Sequence, residues 1–274
     1  MFSIVIPTRG RPKLAENLIK SVKNTQVFTN EILFYISEDD PVRDEYLSMF
    51  EKNKFSTYYV GRPYDCPILW NILAARVSNE YIILCGDDVL FKTKGWDEKI
   101  LNKFNEYPDN IYVGGCQELP LPVLVKDYGS PHNWPYWNIT CHPIMHIKLA
   151  EILGYFVPPY FRHNMIDVWM SFLGIGLGRY FWFNDIRMEH FVKDLTYEGD
   201  GITDEVYSRT MNGWYKWKSC YRHFRTDIDL VNSHMDTPIS DEQIEVNLSK
   251  LSNDGPARFT EPFFNKYSFK EKFS

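Results

Sequence analysis

Two adjacent carboxylates, Asp87 and Asp88, interrupt an otherwise apolar stretch between Tyr81 and Phe91. Tyr81 to Cys85 is a run without alternation, the pattern of a strand covered on both faces. The two aspartates therefore stand where a buried strand ends. Ligands of open α/β sheets bind outside the carboxyl ends of the strands, and paired carboxylates at such a place suit a divalent cation with oxygen ligands. The alternative is a pair of solvated turn residues after Gly86.

The elements that must position this pair are legible upstream. Phe2 to Ile6 reads as a strand stopped by Pro7, and Thr8-Arg9-Gly10-Arg11-Pro12 as a turn into a helix with Pro near its first position. Leu14, Leu18 and Val22 form an apolar stripe on that helix, opposite Lys13, Glu16, Asn17, Lys20 and Lys23. Ile32 to Ile36 is a second strand, ending in a second acidic cluster, Ser37-Glu38-Asp39-Asp40-Pro41. Residues 42–54 read as helix and Thr57 to Val60 as a short strand. Ile68, Ile72 and Ala75 mark the expected buried face of the helix that leads into Tyr81. Strand and helix alternate as in parallel βαβ units, so the first 115 residues read as a Rossmann-like half.

Beyond it, Ile111 to Gly115 is a further strand, and residues 117–143 are rich in Pro and aromatic residues without clear periodicity. Helices are expected over 148–154 and 165–173, ended by Gly154 and Gly174. Tyr180 to Phe183 is a strand leading to Ile186 through Phe191, and Asp194 to Gly201 has the composition of a loop. Residues 207–225 tend to helix, with aromatics from Trp214 to Phe224 interleaved with Lys216, Lys218, Arg222 and Arg225. Ser240 and Gln243 form a capping box for a last helix to about Leu251.

Composition narrows the class. Apolar residues make up 44% and charged residues 24% of the 274, which is globular, and aromatics reach 16%. A net charge of −6 argues against general nucleic-acid coating, since that binding is largely phosphate neutralisation. The cysteines, at 66, 85, 116, 141 and 220, form no Cys-x-x-Cys pair, which fits a reducing compartment better than a disulfide framework. With no charged leader before an apolar stretch and no apolar run approaching 18 residues, the expectation is a cytoplasmic protein without a membrane span.

Several motifs are excluded. There is no Gly-x4-Gly-Lys-Ser/Thr phosphate loop, and Gly174, Gly176 and Gly178 follow a helix rather than open one. His142 and His146 have the spacing of a zinc-protease helix, but Pro143 stands where the Glu is needed. What remains resembles a known family. Ser3 to Arg9, Ser37 to Asp40, Asn71, Leu84-Cys85-Gly86-Asp87-Asp88, Gly154-Tyr155-Phe156, Asp167 and Glu189-His190 together are similar to a GT-A-fold glycosyltransferase of the family 2 type. Gly86 stands in place of the first acid of a fuller Asp-x-Asp.

The resemblance implies an α/β fold of GT-A Rossmann-like kind: a mixed, mainly parallel central sheet with helices on both faces and a helical C-terminal extension. Residues 1–225 would be the catalytic domain, 1–115 its nucleotide-sugar half and 116–225 its acceptor half, with 226–274 the extension. It implies Mn²⁺ or Mg²⁺ held by Asp88, with Asp87 as a second candidate, and His190 completing the site. A UDP-sugar donor would meet Pro7, Thr8, Arg9, Asp39, Asn71 and Asp87. Asp167, after apolar Met165 and Ile166, would be the base of an inverting transfer to an acceptor hydroxyl.

The acceptor stays open. Trp134, Tyr136 and Trp137 can stack on sugars or bases, and Trp214 to Arg225 could track a phosphate backbone, so one candidate is a hydroxymethyl pyrimidine in phage DNA. A polysaccharide or glycolipid is the other. Two further classes use the same residues differently: a glycoside hydrolase with paired carboxylates flanking a sugar cleft, and a catalytically silent carbohydrate-binding protein.

Overall fold

The computed structural model describes residues 1–55, 57–119, 140–162, 166–190 and 213–253. Eight strands form one sheet: β1 (Phe2–Thr8), β2 (Glu31–Ser37), β3 (Tyr58–Gly61), β4 (Tyr81–Leu84), β5 (Val89–Phe91), β6 (Val113–Leu119), β7 (Ile144–His146) and β8 (Tyr180–His190). The described helices are α1 (Pro12–Thr25), α2 (Arg43–Lys52), α3 (Cys66–Ala74), α4 (Trp96–Phe104), α5 (Ile147–Leu153), α6 (Ile166–Gly176), α7 (Gly213–Asn232) and α8 (Asp241–Asn253).

Spatial order across the sheet is β3-β2-β1-β4-β7-β6-β8-β5. Pairing is parallel from β3 to β4 and between β6 and β8, and antiparallel where β7 and β5 enter. Only Cys85 to Asp88 separate β4 from β5, although three strands lie between them in the sheet. Four interstrand gaps span about 19 Å when flat, more than five extended residue steps of about 3.5 Å can cover. The sheet therefore curls, bringing β5 back toward the end of β4.

Side-chain alternation sends each strand's apolar residues to two faces. Ile4, Ile6, Phe34 and Ile83 pack with Leu18 and Val22 of α1, Phe50 of α2 and Ile100 of α4. Val5, Leu33, Ile82 and Leu84 face the other way, against Leu73 of α3, Leu149 of α5, Trp169 of α6, Ile228 of α7 and Ile244 of α8. Helices thus cover both faces, as expected. Fully burying one such aliphatic or Phe side chain contributes about 1.5–3 kcal/mol. No helix among the described residues is long and apolar enough to cross a membrane.

One buried carboxylate fixes the α1–β2 connection. Asp97, fully buried in the first turn of α4, accepts from the backbone N–H of Val27 and Phe28 and from Asn30 Nδ2 at 2.8–3.0 Å. Asn30 Oδ1 in turn accepts from Phe2 N at 2.9 Å, so this hub anchors the start of β1 beside β2.

The structure differs from the sequence reading at several places. Helix α6 does not end at Gly174 but runs to Gly176; Gly174 serves close helix–sheet packing, since a Cβ there would stand 2.9 Å from Val113 Cβ. The buried face of α3 is Leu69, Trp70 and Leu73, while Ile68 is 40% exposed. Strand β6 begins at Val113, the two strand pieces after Tyr180 are one continuous β8, and β3 is shifted by one residue, to Tyr58–Gly61. Helix α7 lies across the 225/226 boundary. Gly154 does end α5, in the left-handed conformation, and Ser240 Oγ caps α8 by accepting from Gln243 N at 3.2 Å, but the Gln243 side chain donates to Asn247 Oδ1 at 2.9 Å, so only the Ser half of the expected capping box is shown. Trp134, Tyr136 and Trp137, the 194–201 segment and the last twenty residues lie outside the described residues.

Candidate active site

The carboxyl ends of β3, β2, β1 and β4 form a row, and the polar residues of the site line it. At the end of β1 a chain of hydrogen bonds runs through the buried Tyr46 of α2. Arg11 N donates to Tyr46 OH at 2.7 Å, Tyr46 OH lies 2.7 Å from Thr8 Oγ1, and Thr8 Oγ1 donates to Asp87 Oδ2 at 2.5 Å. Each oxygen in this chain accepts one bond and passes its own proton on, an order that strengthens every bond in it. Burial pushes the Tyr46 phenol up, so it stays a donor.

Asp87 is fully buried. Besides Thr8, it meets one edge of the Arg11 guanidinium, with Nη2 2.5 Å from Oδ1 and Nε donating to Oδ2 at 3.2 Å. Burial raises its carboxyl above the usual range even though Arg11 pulls it down. Asp88 is partly exposed. Arg11 Nη1 reaches its Oδ2 at 3.1 Å, and His190 Nε2 lies 3.5 Å from its Oδ1. For Asp88, burial raises the pKa, but the His190 hydrogen bond and the charges of Arg11, His190 and His142 outweigh it and hold the carboxylate well below the usual range. The two neighbours are thus driven apart, the buried one toward its protonated form and the outer one firmly ionised.

Strand pairing brings the histidines in. Val89 stands opposite His190 in the β5–β8 ladder, which sets the imidazole beside Asp88. His142 arrives through the antiparallel β4–β7 pairing, where Leu84 N donates to Pro143 O at 3.1 Å. The ring is buried and meets His190 edge to face, with centroids 4.9 Å apart. His146, at the other end of β7, caps α5 by accepting from Lys148 N at 3.1 Å and takes no part. The Asp88 carboxylate folds over Gly86, where a Cβ would stand 2.5 Å from Asp88 Oδ1 and force that carboxylate to move. The missing first acid of an Asp-x-Asp thus leaves a cradle beside the Asp88 carboxylate.

Further along the row, Arg9 and Asp39 form a partly exposed ion pair, Nη1 to Oδ1 2.6 Å. Asp40 is buried and structural: it accepts from Gly10 N at 3.0 Å and Val42 N at 2.9 Å, tying the β1–α1 turn to the β2–α2 turn. Pro7 lies past the last β1–β4 pair, Val5 with Leu84, so its missing N–H costs no bond to β4.

Asn71 is engaged elsewhere. Its Oδ1 accepts from Phe156 N and Val157 N at 2.7 and 3.1 Å, and its Nδ2 donates to Val157 O and Pro67 O, both at 2.9 Å. It therefore holds the segment after α5. Asp227 of α7 holds the same segment from the other side, accepting from Tyr155 OH and, at 3.1 Å, from Trp169 Nε1.

Asp167 lies in the first turn of α6 and is partly buried. A tight turn, with Arg179 N donating to Gly174 O at 2.7 Å, joins α6 to β8. The helix runs back against the strand, so its first turn lies toward the carboxyl edge where β8 ends in His190. At the described end of the Trp214–Arg225 segment, Phe224 is buried in the core and Arg225 pairs with Glu245 at 2.8 Å. Arg11, Tyr46 and Asp227 were not singled out in the sequence, and His142 only through a zinc-protease spacing that Pro143 excludes; the signal available for Arg11 was its place in the turn after β1, two residues past Arg9.

The family model described as Glycosyl transferase family 2 matches residues 3–157. Among solved structures, S. aureus TarS 1–349 in complex with UDP superposes with a TM-score of 0.58 at 11% identity, over 92% of this chain and 70% of that one. A longer S. aureus TarS structure gives 0.61 at 12% identity, over 99% of this chain and 46% of that one. The mannosyltransferase PcManGT from Pyrobaculum calidifontis in complex with GDP-Man and Mn²⁺ gives 0.58 at 12% identity, over 92% and 74%. At these identities the likeness is one of fold. No curated protein matches the sequence.

Proposed function

Because the chain belongs to glycosyl transferase family 2, we propose that it moves a sugar from a nucleoside-diphosphate sugar, a UDP-sugar, to an acceptor hydroxyl with inversion at the anomeric carbon. The observation that carries this reading is the ionised, partly exposed Asp88 facing His190 at 3.5 Å at the carboxyl end of β4. The row of strand ends from β3 to β4 is about 14 Å long by strand spacing, enough for a nucleoside and its diphosphate laid end to end. Arg9 and Asp39 would meet the nucleoside, with Thr8 beside them, and Asp88 would stand at the diphosphate end. UDP bound to TarS and GDP-Man with Mn²⁺ bound to PcManGT support a donor of this kind.

The donor set fits a divalent cation. Asp88 offers carboxylate oxygen and His190 imidazole nitrogen, and the Asp88 side chain is partly exposed. Among the described residues no three His, Cys, Asp or Glu side chains form a ready cage; a cation that shares its ligands with phosphate needs only one or two from the protein. An imidazole in the set favours Mn²⁺ over Mg²⁺. When bound, the cation neutralises charge on the departing diphosphate.

The chain's own residues do the rest. Asp167 takes the proton from the acceptor hydroxyl as its oxygen attacks the anomeric carbon. The bond from that carbon to the diphosphate oxygen breaks, and the diphosphate leaves with the electron pair. Asn71 and Asp227 hold the Tyr155–Val157 segment between them and so steady the approach to α6. For the acceptor, the pairing of Arg225 with Glu245 and the burial of Phe224 take these two side chains out of a phosphate-tracking surface, and a polysaccharide or glycolipid hydroxyl stands beside a hydroxymethyl pyrimidine in DNA as the group to test.

The test is UDP release from a panel of UDP-sugars with Mn²⁺, with Mg²⁺ and with EDTA, each with glycan and hydroxymethylated-DNA acceptors. Acceptor-stimulated release that EDTA abolishes is expected. Metal-independent glycan cleavage would indicate a hydrolase instead, and binding without turnover a carbohydrate-binding protein.

A further inference from the structure

Arg11 is placed unlike the other cations of the cleft. Its guanidinium is a planar fork, and two of its nitrogens, Nε and Nη2, grip the fully buried Asp87. The third, Nη1, extends to Asp88 Oδ2 at 3.1 Å, while His190 faces the other oxygen of the same carboxylate. The side chain is 41% exposed, so the guanidinium is anchored on its inner edge and open to the cleft on its outer one. Its backbone N–H is fixed on Tyr46, at the point where α1 begins.

From this we infer that Arg11 couples cation binding to donor binding: it neutralises Asp88 while the cleft is empty, and passes to the donor's phosphates when a cation takes Asp88. The inference rests on the cation and donor reading above. A divalent ion arriving alone at Asp88 would meet a guanidinium already bonded to that carboxylate and held close by Asp87, so it must both displace a partner and sit beside a like charge. A diphosphate changes this balance. Its oxygens offer Nη1 a new acceptor and give both cations a counter-charge, while the grip of Nε and Nη2 on Asp87 keeps the fork in place. Each ligand then raises the other's affinity by the same factor, as linkage demands. Asp87, too buried to meet the donor, serves as the anchor of this arm.

The experiment measures Mn²⁺ binding to the full chain by electron paramagnetic resonance, with and without UDP, corrected for the Mn²⁺ that UDP holds in solution. For the unaltered protein, UDP is expected to tighten Mn²⁺ roughly ten- to a hundredfold. In Arg11→Gln, Mn²⁺ alone should bind more tightly and the UDP-dependent ratio should shrink to about threefold or less. Since Arg11→Gln strands a buried Asp87, the ratio is also measured in Arg11→Gln with Asp87→Asn, where the buried pair is neutral; the same collapse is expected. Arg11→Lys, which keeps the charge, should keep most of the ratio. An undiminished ratio in both glutamine variants, or an equal collapse in Arg11→Lys, overturns the inference while leaving the function intact. Failure of the unaltered protein to bind Mn²⁺ and UDP at all removes the functional reading, and this inference with it.

Discussion

His190 Nε2 sits 3.5 Å from Asp88 Oδ1 because the short strand after Asp88 pairs antiparallel with the end of β8. The carboxylate is bracketed, with Arg11 on its second oxygen at 3.1 Å. Its neighbour Asp87 shares Arg11 but is sealed from solvent. Two adjacent aspartates therefore have separate tasks, one facing the cleft and one holding the residues around it.

Removing Asp88 is expected to be far worse for cation-dependent transfer than removing His190. Asp88→Ala should lower kcat/KM about a thousandfold or more, and His190→Ala about 10- to 100-fold, the usual range for losing one supporting contact at a metal site. Steady-state rates across a Mn²⁺ titration check this. If Asp88→Ala keeps metal-dependent turnover, the cation lies elsewhere.

Gly86→Ala tests the cradle. The added Cβ would stand 2.5 Å from Asp88 Oδ1, so the carboxylate must move. Residue 86 lies between strands, and the fold should survive with a melting temperature within a few degrees of the unaltered protein. Mn²⁺ affinity should fall roughly tenfold or more. Unchanged Mn²⁺ affinity would show that Asp88 does not need its present position.

Asp167→Asn should lower transfer about 10²- to 10⁴-fold, the usual contribution of a positioned base, while UDP binding by calorimetry stays within about twofold of the unaltered protein. Near-normal turnover would remove Asp167 as the base. Loss of UDP binding would assign it to the donor instead.

Asp97→Ala is expected to cost stability without touching the site. It strands the N–H groups of Val27 and Phe28 and the amide of Asn30, all held at 3.0 Å or less. With about 1–3 kcal/mol for each unsatisfied buried group and partial relaxation, a loss of about 3–5 kcal/mol in urea unfolding follows. A loss below about 1 kcal/mol would mean that water replaces the carboxylate.

Asp87 carries a pH signature. Burial raises its folded-state carboxyl to about 6, from 3.8 as the ordinary value. The folded protein therefore holds this proton more tightly than the unfolded chain, so the stability it lends is full below about pH 4 and is lost as pH rises through about 6. Asp88 has the opposite sign, its contribution being present above the ordinary carboxyl range and lost as pH falls. In urea unfolding between pH 4 and 7, Asp87→Asn should gain on the unaltered protein as pH rises. Parallel curves would mean that Asp87 ionises as easily folded as unfolded.

Much of this was legible in the chain because it depends on short-range pattern. Apolar runs ending in acids marked the strand ends at Asp39 and Asp87-Asp88, and the lack of alternation in Tyr81 to Cys85 predicted a sheet covered on both faces. The buried face of α3 was not legible, since its residues are apolar almost all round and no period separates Ile68 from Leu69. Asp97 reads as an ordinary acid in a first helical turn; only the packing of Val27 to Asn30 against it reveals a hub. Arg11 and His142 were hidden for a different reason. One depends on which of two nearby arginines reaches which acid, and the other on the antiparallel register of β7 against β4, a pairing between segments some sixty residues apart that local pattern does not encode.

The curl of the sheet also sets an order of assembly. The strands from β1 to β4 draw on the first third of the chain and can pair as they emerge, through local βαβ contacts. Strand β5 gains its partner only when β8 has been made, roughly a hundred residues later, and closing so long a loop is entropically slow. The row of strand ends therefore exists before Asp88 meets His190. A refolding protein should regain UDP binding in an earlier kinetic phase than Mn²⁺ binding.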